Sequence, residues 1–414
     1  MNYEQVFFNI KRGKKSKKNL KDVHLKILKD LKSHKLKCLS IVTDSFEVEK
    51  IKKFTKKFKR FENLIFLGTG GSSLGGKTLV SISRNQFLNK KKPNFFFIEN
   101  VDPDPILELL EMIDVSKTGI IIISKSGETI ETLSQYFFVS NFMKKQNVKL
   151  ENQVLVITED KDSTLKKIQE DCDYFFLEHD KDIGGRFSVF SSVGLLPAAL
   201  AGLDIDLIRK GGKSIVDDMI NVKNIINFPP ALAALNHEKL IELGINQCVL
   251  MPYSDKLMNF SLWFRQLWGE SIGKNGKGST PINAVGTVDQ HSQLQLYLDG
   301  PKDKFITFIS TEKSSKVIKL NCKVSKFFNY LNLHKKTLND LINAEKEATF
   351  KTLKKNKIPI RMIETGIIDE MNIGSLLMHF FLETIYTCLL INVNPFDQPA
   401  VEEGKKLTIK LLSK

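Results

Sequence analysis

The chain has 414 residues, of which 42% are hydrophobic and 26% are charged, which predicts a globular protein with a large core in two similar domains. Its formal net charge of +15 would suit nucleic acid or an anionic substrate. The lysines, however, are spread over the whole chain rather than gathered beside aromatic residues, so we expect a lysine-rich solvated surface and no nucleic-acid partner.

The first part of the chain predicts helices and no export. Residues 1–60 have the spacing of helices with a lysine-rich face. The N-terminus contains no apolar run of the length that a signal peptide needs. We therefore expect an N-terminal helical segment over residues 1–60.

A different pattern begins at residue 61. From there the sequence contains short apolar runs separated by segments of helical length. This pattern is typical of a parallel sheet that is covered on both faces. The first domain is therefore predicted over residues 61–200. The runs cover residues 63–67, 94–99, 119–124, 153–158 and 174–177.

A second series of strands follows a mainly helical connection. It comprises residues 247–251, 282–285 and 305–309, with a helix predicted over 335–355. We expect a second domain over residues 201–392 and a helical tail over 393–414. The predicted fold class is α/β, with two doubly wound parallel-sheet domains. In such sheets ligands gather at the carboxyl ends of strands.

The most apolar long stretch, residues 373–393, is long enough to cross a membrane. It contains His379 and Glu383, however, and charged or titratable side chains are rare inside a bilayer. We therefore predict a helix of the protein core and no membrane partner.

The cysteines and histidines indicate a reduced compartment and no metal centre. The five cysteines are odd in number, far apart and without a C-x-x-C pair. This pattern favours free thiols in the cytoplasm. The seven histidines are isolated from one another, so no metal site is expected. The cysteines are Cys38, Cys172, Cys248, Cys322 and Cys388.

Two loops after predicted strands have the composition of phosphate sites. The glycine loop (residues 68–76) reads GTGGSSLGG, and the SKSGET loop covers residues 124–129. Glycines let the backbone approach an anion, while hydroxyls and the free N–H groups of a helix N-terminus bind it. Either loop alone is equally well explained as a strand-to-helix turn. Two of them in adjacent crossovers favour a phosphate site.

A nucleotide-binding alternative must be weighed at the same place. Residues 71–78, GSSLGGKT, satisfy the P-loop pattern G-x-x-x-x-G-K-[ST], and Glu159 and Asp160 follow a predicted strand and could hold a metal. Against this interpretation, the glycine run begins earlier, at Gly68. A dinucleotide interpretation is weaker, because Ser73 stands where the third glycine of G-x-G-x-x-G is needed.

Residues 253–300 combine polar side chains with apolar, glycine-punctuated segments. Glu270 lies near the end of a predicted amphipathic helix, beside Trp268. The negative end of the helix dipole and an indole wall both disfavour the charged carboxylate, which suits a general base. His291 follows in a polar segment between two apolar ones. Each residue alone is weak evidence, because a lone glutamate or histidine is more often a surface or packing residue.

Taken together, the motifs resemble those of the phosphoglucose isomerase family. The resemblance covers residues of about 60 to 410, in the same order, and one departure is Ala400, where a glycine is usual. The segments are 68–75 (GTGGSSLG), 124–129 (SKSGET), 184–189 (GGRFSV), 193–197 (VGLLP), 268–274 (WGESIGK), 289–295 (DQHSQLQ) and 394–405 (NPFDQPAVEEGK).

This resemblance implies sugar-isomerase domains, a cytoplasmic homodimer and the interconversion of glucose 6-phosphate and fructose 6-phosphate through a cis-enediolate, without a metal or cofactor. Glu270 would be the base and Arg186 would stabilise the enediolate. His291, reaching across the dimer, and Lys405 would move protons during ring opening. Gln398 would position sugar hydroxyls. The phosphate would be held by Gly71, Ser72, Ser124, Lys125, Ser126 and Thr129.

Two rivals belong to other functional classes. A P-loop ATPase would leave the SKSGET loop, Glu270 and His291 without a role. A non-catalytic phosphosugar sensor would keep the phosphate loops but lose Glu270, His291 or Lys405, and all three residues are present. The sequence therefore favours the isomerase.

Overall fold

The computed structural model describes residues 3–10, 16–83, 92–312, 318–320 and 333–413. In this part of the chain, ten strands form two five-stranded sheets. The strands are β1 (Tyr3–Phe8), β2 (Asn63–Leu67), β3 (Asn94–Ile98), β4 (Thr118–Ile123), β5 (Val154–Thr158), β6 (Phe175–Glu178), β7 (Gln247–Pro252), β8 (Thr280–Asn283), β9 (Lys304–Thr311) and β10 (Ile360–Thr365). The helices are α1 (Ser16–Lys32), α2 (Lys37–Ser40), α3 (Ser45–Phe58), α4 (Gly71–Ser83), α5 (Pro103–Met112), α6 (Ile130–Lys145), α7 (Thr164–Asp171), α8 (Ser192–Leu200), α9 (Ile205–Asn221), α10 (Pro229–Glu242), α11 (Met258–Ile272), α12 (Leu294–Asp299), α13 (Leu338–Lys355), α14 (Glu370–Leu390) and α15 (Glu402–Leu412).

The first sheet is parallel throughout and has the order β3-β2-β4-β5-β6. Its central strands are continuous apolar runs, and every residue of β2, β4 and β5 is buried. Along β4, Ile121 and Ile123 pack into one core cluster, whereas Ile120 and Ile122 pack into another on the opposite face. The prediction of a parallel sheet covered on both faces is confirmed.

The second sheet has the order β1-β10-β9-β7-β8, with β1 antiparallel to β10 and the other neighbours parallel. Two of its strands differ from the sequence predictions. Helices were expected throughout residues 1–60, which is wrong for β1, because its backbone pairs with β10. The strand β10 has no counterpart among the predicted strands. The α/β fold class is confirmed, with one antiparallel strand at the edge of the second sheet.

For the domains we propose to retain the division into residues 1–60, 61–200, 201–392 and 393–414. Strands β2 to β6 fall within the second of these segments, and β7 to β10 fall within the third. The strand β1 is the exception, since it joins the sheet of the later domain.

The helix α14 forms the centre of the interior. It is long and apolar enough to cross a membrane, but 94% of its most apolar window is buried inside the fold, which confirms the predicted core helix. It lies unusually close to α9. A Cβ at Gly374 would be 2.0 Å from the carbonyl oxygen of Ile208, and one at Gly211 would be 2.1 Å from that of Met371. Glycine is therefore required where the two backbones meet.

A buried polar network joins α14 to the second sheet. The Glu383 carboxylate accepts hydrogen bonds from Arg361 Nη1 at 2.7 Å, His379 Nε2 at 2.8 Å and His237 Nε2 at 2.9 Å. Because Nε2 of His379 donates, its Nδ1 accepts from the Tyr3 hydroxyl of β1, at 2.5 Å. Burial raises the pKa of Glu383, but Arg361 and the two imidazoles outweigh it and hold that pKa well below its usual range.

The buried histidines predict a loss of stability at mildly acidic pH. Burial lowers the pKa of both His237 and His379 from the ordinary value of 6.5, although Glu383 opposes the change. Below about pH 6.5 these two histidines are therefore protonated in the unfolded chain but remain neutral in the folded chain. We expect the free energy of unfolding to fall between pH 7.5 and pH 5.5, by up to about 1.4 kcal/mol per pH unit for each such histidine.

Urea unfolding at both pH values measures this slope. The matched variant is His379→Gln, whose amide can keep the bonds to Tyr3 and Glu383 but does not titrate, so its slope should be shallower. The stability that Glu383 contributes is fully present above its ordinary pKa of 4.5 and is lost only at lower pH, outside this interval. Equal slopes for the wild type and the variant would contradict the prediction.

Candidate active site

Arg186 is the structural centre of the site. It lies on a short 3₁₀-helix (Gly185–Phe190) after the first sheet, and its side chain is only 3% exposed. Nε donates to Ser271 Oγ at 2.8 Å, and Nη2 donates to the carbonyl oxygens of Pro395 and Asp397 at 2.6 and 3.0 Å. Nη1 donates to Glu270 and to Gln398. Burial lowers the pKa of the guanidinium, while the Glu270 carboxylate raises it.

Glu270 lies in the last turn of α11, as predicted, and faces Arg186. Its Oε2 accepts from Arg186 Nη1 at 3.1 Å, and its Oε1 accepts from Gln266 Nε2 at 2.9 Å. The side chain is 36% exposed, so a ligand can reach the carboxylate. Gln398 Oε1 accepts from the same Nη1 at 2.8 Å. The structure therefore brings Glu270, Arg186 and Gln398 together.

The expected indole wall beside Glu270 is wrong. Trp268 is buried, packs against His237 with ring centroids 4.5 Å apart, and donates from Nε1 to Ser279 Oγ at 3.1 Å. Residues two apart on a helix differ in direction by about 200°, so Trp268 and Glu270 point to opposite sides. The neighbours of the carboxylate are polar instead.

The glycine loop (residues 68–76) lies against Gln266 and against Gly185, the residue that precedes Arg186. Gly70 has φ +58°, and a Cβ there would lie 2.8 Å from Gln266 Nε2. A Cβ at Gly71 would lie 2.2 Å from the backbone carbon of Gly185. Ser72 follows in the first turn of α4. The positive φ thus explains the glycine at position 70, and the close approach of the Gly185 backbone explains the glycine at position 71.

The SKSGET loop (residues 124–129) is held by its own hydroxyls. The hydroxyls of Ser124 and Thr129 are 2.9 Å apart, and Ser126 Oγ accepts from the backbone N–H of Glu128 at 3.2 Å. Thr129 precedes α6 without capping it through its side chain. The first N–H groups of α6 are therefore available to an anion. Lys125 Nζ donates to the Lys181 carbonyl at 2.7 Å and lies 3.7 Å from Glu159 Oε1.

The P-loop alternative does not fit the structure. Its pattern begins at Gly71, which is already the first residue of α4, so the pattern is helical rather than a loop. Lys77 Nζ is 2.5 Å from Glu99 Oε2. The Thr78 hydroxyl donates to the carbonyl oxygens of Leu74 and Asn259. Both residues that would serve phosphate and magnesium are thus bound to protein groups.

Two predicted catalytic residues lie on exposed elements. His291 is exposed on a 3₁₀-helix (Val288–His291), and Lys405 is exposed on α15, where Nζ is 2.7 Å from Glu402 Oε1. Within the described part of this single chain, neither contacts Glu270, Arg186 or Gln398. Their roles stay predictions.

Sequence reasoning missed three residues that hold the site. Gln266 and Ser271 bind Glu270 and Arg186 directly. Lys274 Nζ donates to the carbonyl oxygens of Glu270 and Ser271 at the end of α11. The spacing of Gln266, one helical turn before Glu270, could have indicated its contact. Nothing local indicated the contact of Ser271 with Arg186.

Comparison with known proteins identifies the family. The sequence matches the model of the phosphoglucose isomerase family over residues 17–414. The chain belongs to this family. It is 37% identical to a probable glucose-6-phosphate isomerase of Methanococcus maripaludis, over 91% of this chain and 84% of that protein. It is 35% identical to a glucose-6-phosphate isomerase of Rubrobacter xylanophilus, over 84% and 81%. The resemblance inferred from the motifs is confirmed.

Solved structures share the fold. A hypothetical protein of Thermus thermophilus superposes with a TM-score of 0.87 at 30% identity, over 95% of both chains. A glucose-6-phosphate isomerase of Chlamydia trachomatis superposes with a TM-score of 0.77 at 22% identity, over 89% of this chain and 73% of that one. The second comparison supports the fold alone.

The approach of Gly71 to Gly185 predicts the effect of adding a methyl group. Gly71→Ala would force apart two backbones, so we expect the free energy of unfolding to fall by about 1–3 kcal/mol, the usual cost of overpacking. Gly184→Ala is the matched control, because its Cβ would meet only a ring carbon of Phe187, at 3.9 Å. Urea unfolding of both variants tests the prediction, and equal stabilities would contradict it.

Proposed function

We propose that the protein is a glucose-6-phosphate isomerase, which interconverts glucose 6-phosphate and fructose 6-phosphate in glycolysis and gluconeogenesis. The observation that carries the proposal is the hydrogen bond between the accessible Glu270 carboxylate and the buried Arg186 guanidinium. Gln398 accepts a hydrogen bond from the same guanidinium nitrogen. This arrangement occurs in a chain of the phosphoglucose isomerase family. Moving a proton between adjacent carbons leaves the oxidation state of the whole sugar unchanged, so the proposal includes no cofactor.

The proton transfer is assigned to Glu270. In the forward direction its carboxylate removes the proton from C2 of the open-chain aldose and returns it to C1 of the cis-enediolate, while the hydroxyl proton of O2 passes to O1. The negative charge that develops on the two sugar oxygens is stabilised by Arg186, whose position is fixed before the substrate binds. Such preorganised charge is usually the largest single contribution to catalysis. Gln266 holds the other carboxylate oxygen in place.

The phosphate group is assigned to the two loops. Ser124, Ser126 and Thr129 supply hydroxyls, α6 supplies free N–H groups, and Lys125 supplies charge. Ser72 and the Gly71 backbone complete the phosphate site from α4. Holding the phosphate away from the reacting carbons orients the sugar, and this remote binding energy lowers the barrier of the chemical step.

For the assembly we propose a cytoplasmic homodimer in which His291 acts in the partner's site. The exposed apolar side chains support it. Leu407, Ile409, Leu411 and Leu412 of α15 are each more than half exposed, and so is Val288, three residues before His291. Several large apolar side chains exposed on one helix are typical of an interface. Lys405 lies on the same helix, so its position relative to Glu270 depends on the surface that α15 packs against.

Replacing the base should separate binding from chemistry. Glu270→Gln keeps the shape of the side chain and can still accept from Arg186, so we expect nearly unchanged inhibition by a phosphorylated sugar acid. Turnover should fall at least ~10²-fold, the lower range for loss of a general base. A coupled dehydrogenase assay that starts from fructose 6-phosphate measures both turnover and inhibition.

The control for this substitution is Glu242→Gln, the same chemical change on a carboxylate that is 59% exposed and pairs with Lys239. It should leave turnover unchanged. A Glu270→Gln enzyme with wild-type turnover would remove the assignment of the base.

Mixing two inactive variants should test the composite site. Glu270→Gln and His291→Ala chains, exchanged to equilibrium, should form mixed dimers that contain one intact site and one doubly damaged site. With random exchange about half of the dimers are mixed, so recovery should approach about one quarter of wild-type activity per site. No recovery despite proven exchange would mean that each site is complete within one chain.

A further inference from the structure

Lys274 is a nearly buried cation behind the proposed base. Its side chain is 9% exposed and lies two residues beyond the end of α11. Nζ donates to the carbonyl oxygens of Glu270 at 3.0 Å, Ser271 at 2.8 Å and Asn394 at 2.6 Å. These three bonds use all the donors of an ammonium group. Asp397 Oδ1 lies 3.2 Å from the same nitrogen.

The position of this charge matters because helix C-termini carry partial negative charge. Two of the carbonyls that Lys274 binds belong to the last turn of α11, one of them to Glu270 itself. The ammonium therefore offsets the negative end of the helix at the residue that carries the base. It also fixes the backbone of that turn, since a single nitrogen bridges two successive carbonyls.

The other contacts of Lys274 reach the tail segment (residues 394–398). Two cations hold this segment. Lys274 binds Asn394 and the carboxylate of Asp397, while Arg186 binds the carbonyls of Pro395 and Asp397 and the side chain of Gln398. Among the residues that the structure describes, the hydrogen bonds that would still link the tail segment to α11 without Lys274 run through Arg186, the residue on whose position the proposed reaction depends.

We propose that Lys274 is a positioning residue for the isomerase reaction: it fixes the tail segment against the end of α11 and so sets Gln398 and Arg186 relative to Glu270. The inference rests on the proposed function. Lys274 touches no reacting atom, and it acts through the residues that it holds.

The test compares Lys274→Met with Lys277→Met. Methionine keeps an unbranched chain but has no donors. Lys277 lies in the same turn and makes a related contact, since its Nζ donates to the Ile391 carbonyl at 2.8 Å, before the tail segment begins. We expect Lys274→Met to lower kcat/KM by about 10²-fold, the usual scale for misplaced catalytic groups, with changes in both kcat and KM. Lys277→Met should stay close to the wild type.

Two further measurements separate positioning from a loss of fold. The proposed function assigns inorganic phosphate to the SKSGET loop and not to the tail segment, so its Ki should be unchanged in Lys274→Met, whereas the Ki of a phosphorylated sugar acid should rise. Lys274→Arg keeps the charge and several donors and should recover part of the activity. If Lys274→Met does not fold, Asp397→Ala, which removes only the ion pair, should still raise KM.

The outcomes distinguish the two proposals. An active wild type with Lys274→Met equal to Lys277→Met in kcat and KM would overturn the positioning role alone. So would wild-type kinetics of Asp397→Ala together with an unfolded Lys274→Met, because Lys274 would then act on stability only. A wild type that does not isomerise fructose 6-phosphate would instead overturn the proposed function itself.

Discussion

A buried guanidinium must have partners, and Arg186 obtains them from distant parts of the chain. Its five N–H donors are directed to Ser271 and Glu270 on α11 and to Pro395, Asp397 and Gln398 in the tail segment. An unpaired charge at this depth would cost several kcal/mol, so the fold is stable only when these segments converge. The same requirement that stabilises the interior also assembles the site, and it does so before any ligand arrives.

The strands of the first sheet could be predicted because their sequences are dominated by burial. An isoleucine run such as that of β4 is compatible with little else than a strand covered on both faces. The strand β10 was missed because Arg361 interrupts its apolar pattern, and the partner that allows this arginine to be buried, Glu383, lies on α14. The edge strand β1 was missed because its pairing partner is β10. In both cases the deciding interaction is tertiary.

The site shows a similar division. Glu270, Arg186 and Gln398 could be predicted. The resemblance of their motifs to a family was stronger evidence for this prediction than their local sequence pattern. Trp268 is close to Glu270 in sequence but not in space, because the helix directs the two side chains to opposite sides. The contacts of Lys274 depend on where residues 394–397 return in the fold, which no local pattern contains. No described contact joins His291 or Lys405 to Glu270 within one chain, because the roles proposed for them depend on the assembly of two chains.

The pairing of β1 with β10 has a consequence for the order in which the chain is made. The strands of the first sheet are all consecutive in sequence, so that sheet can be complete once residue 178 has been synthesised. Tyr3–Phe8 leaves the ribosome before these strands, yet its partner strand ends at Thr365. Until then the N-terminal strand has an unpaired edge, which other chains could join. Its short length and the charge of Glu4 reduce that danger while the rest of the protein is made.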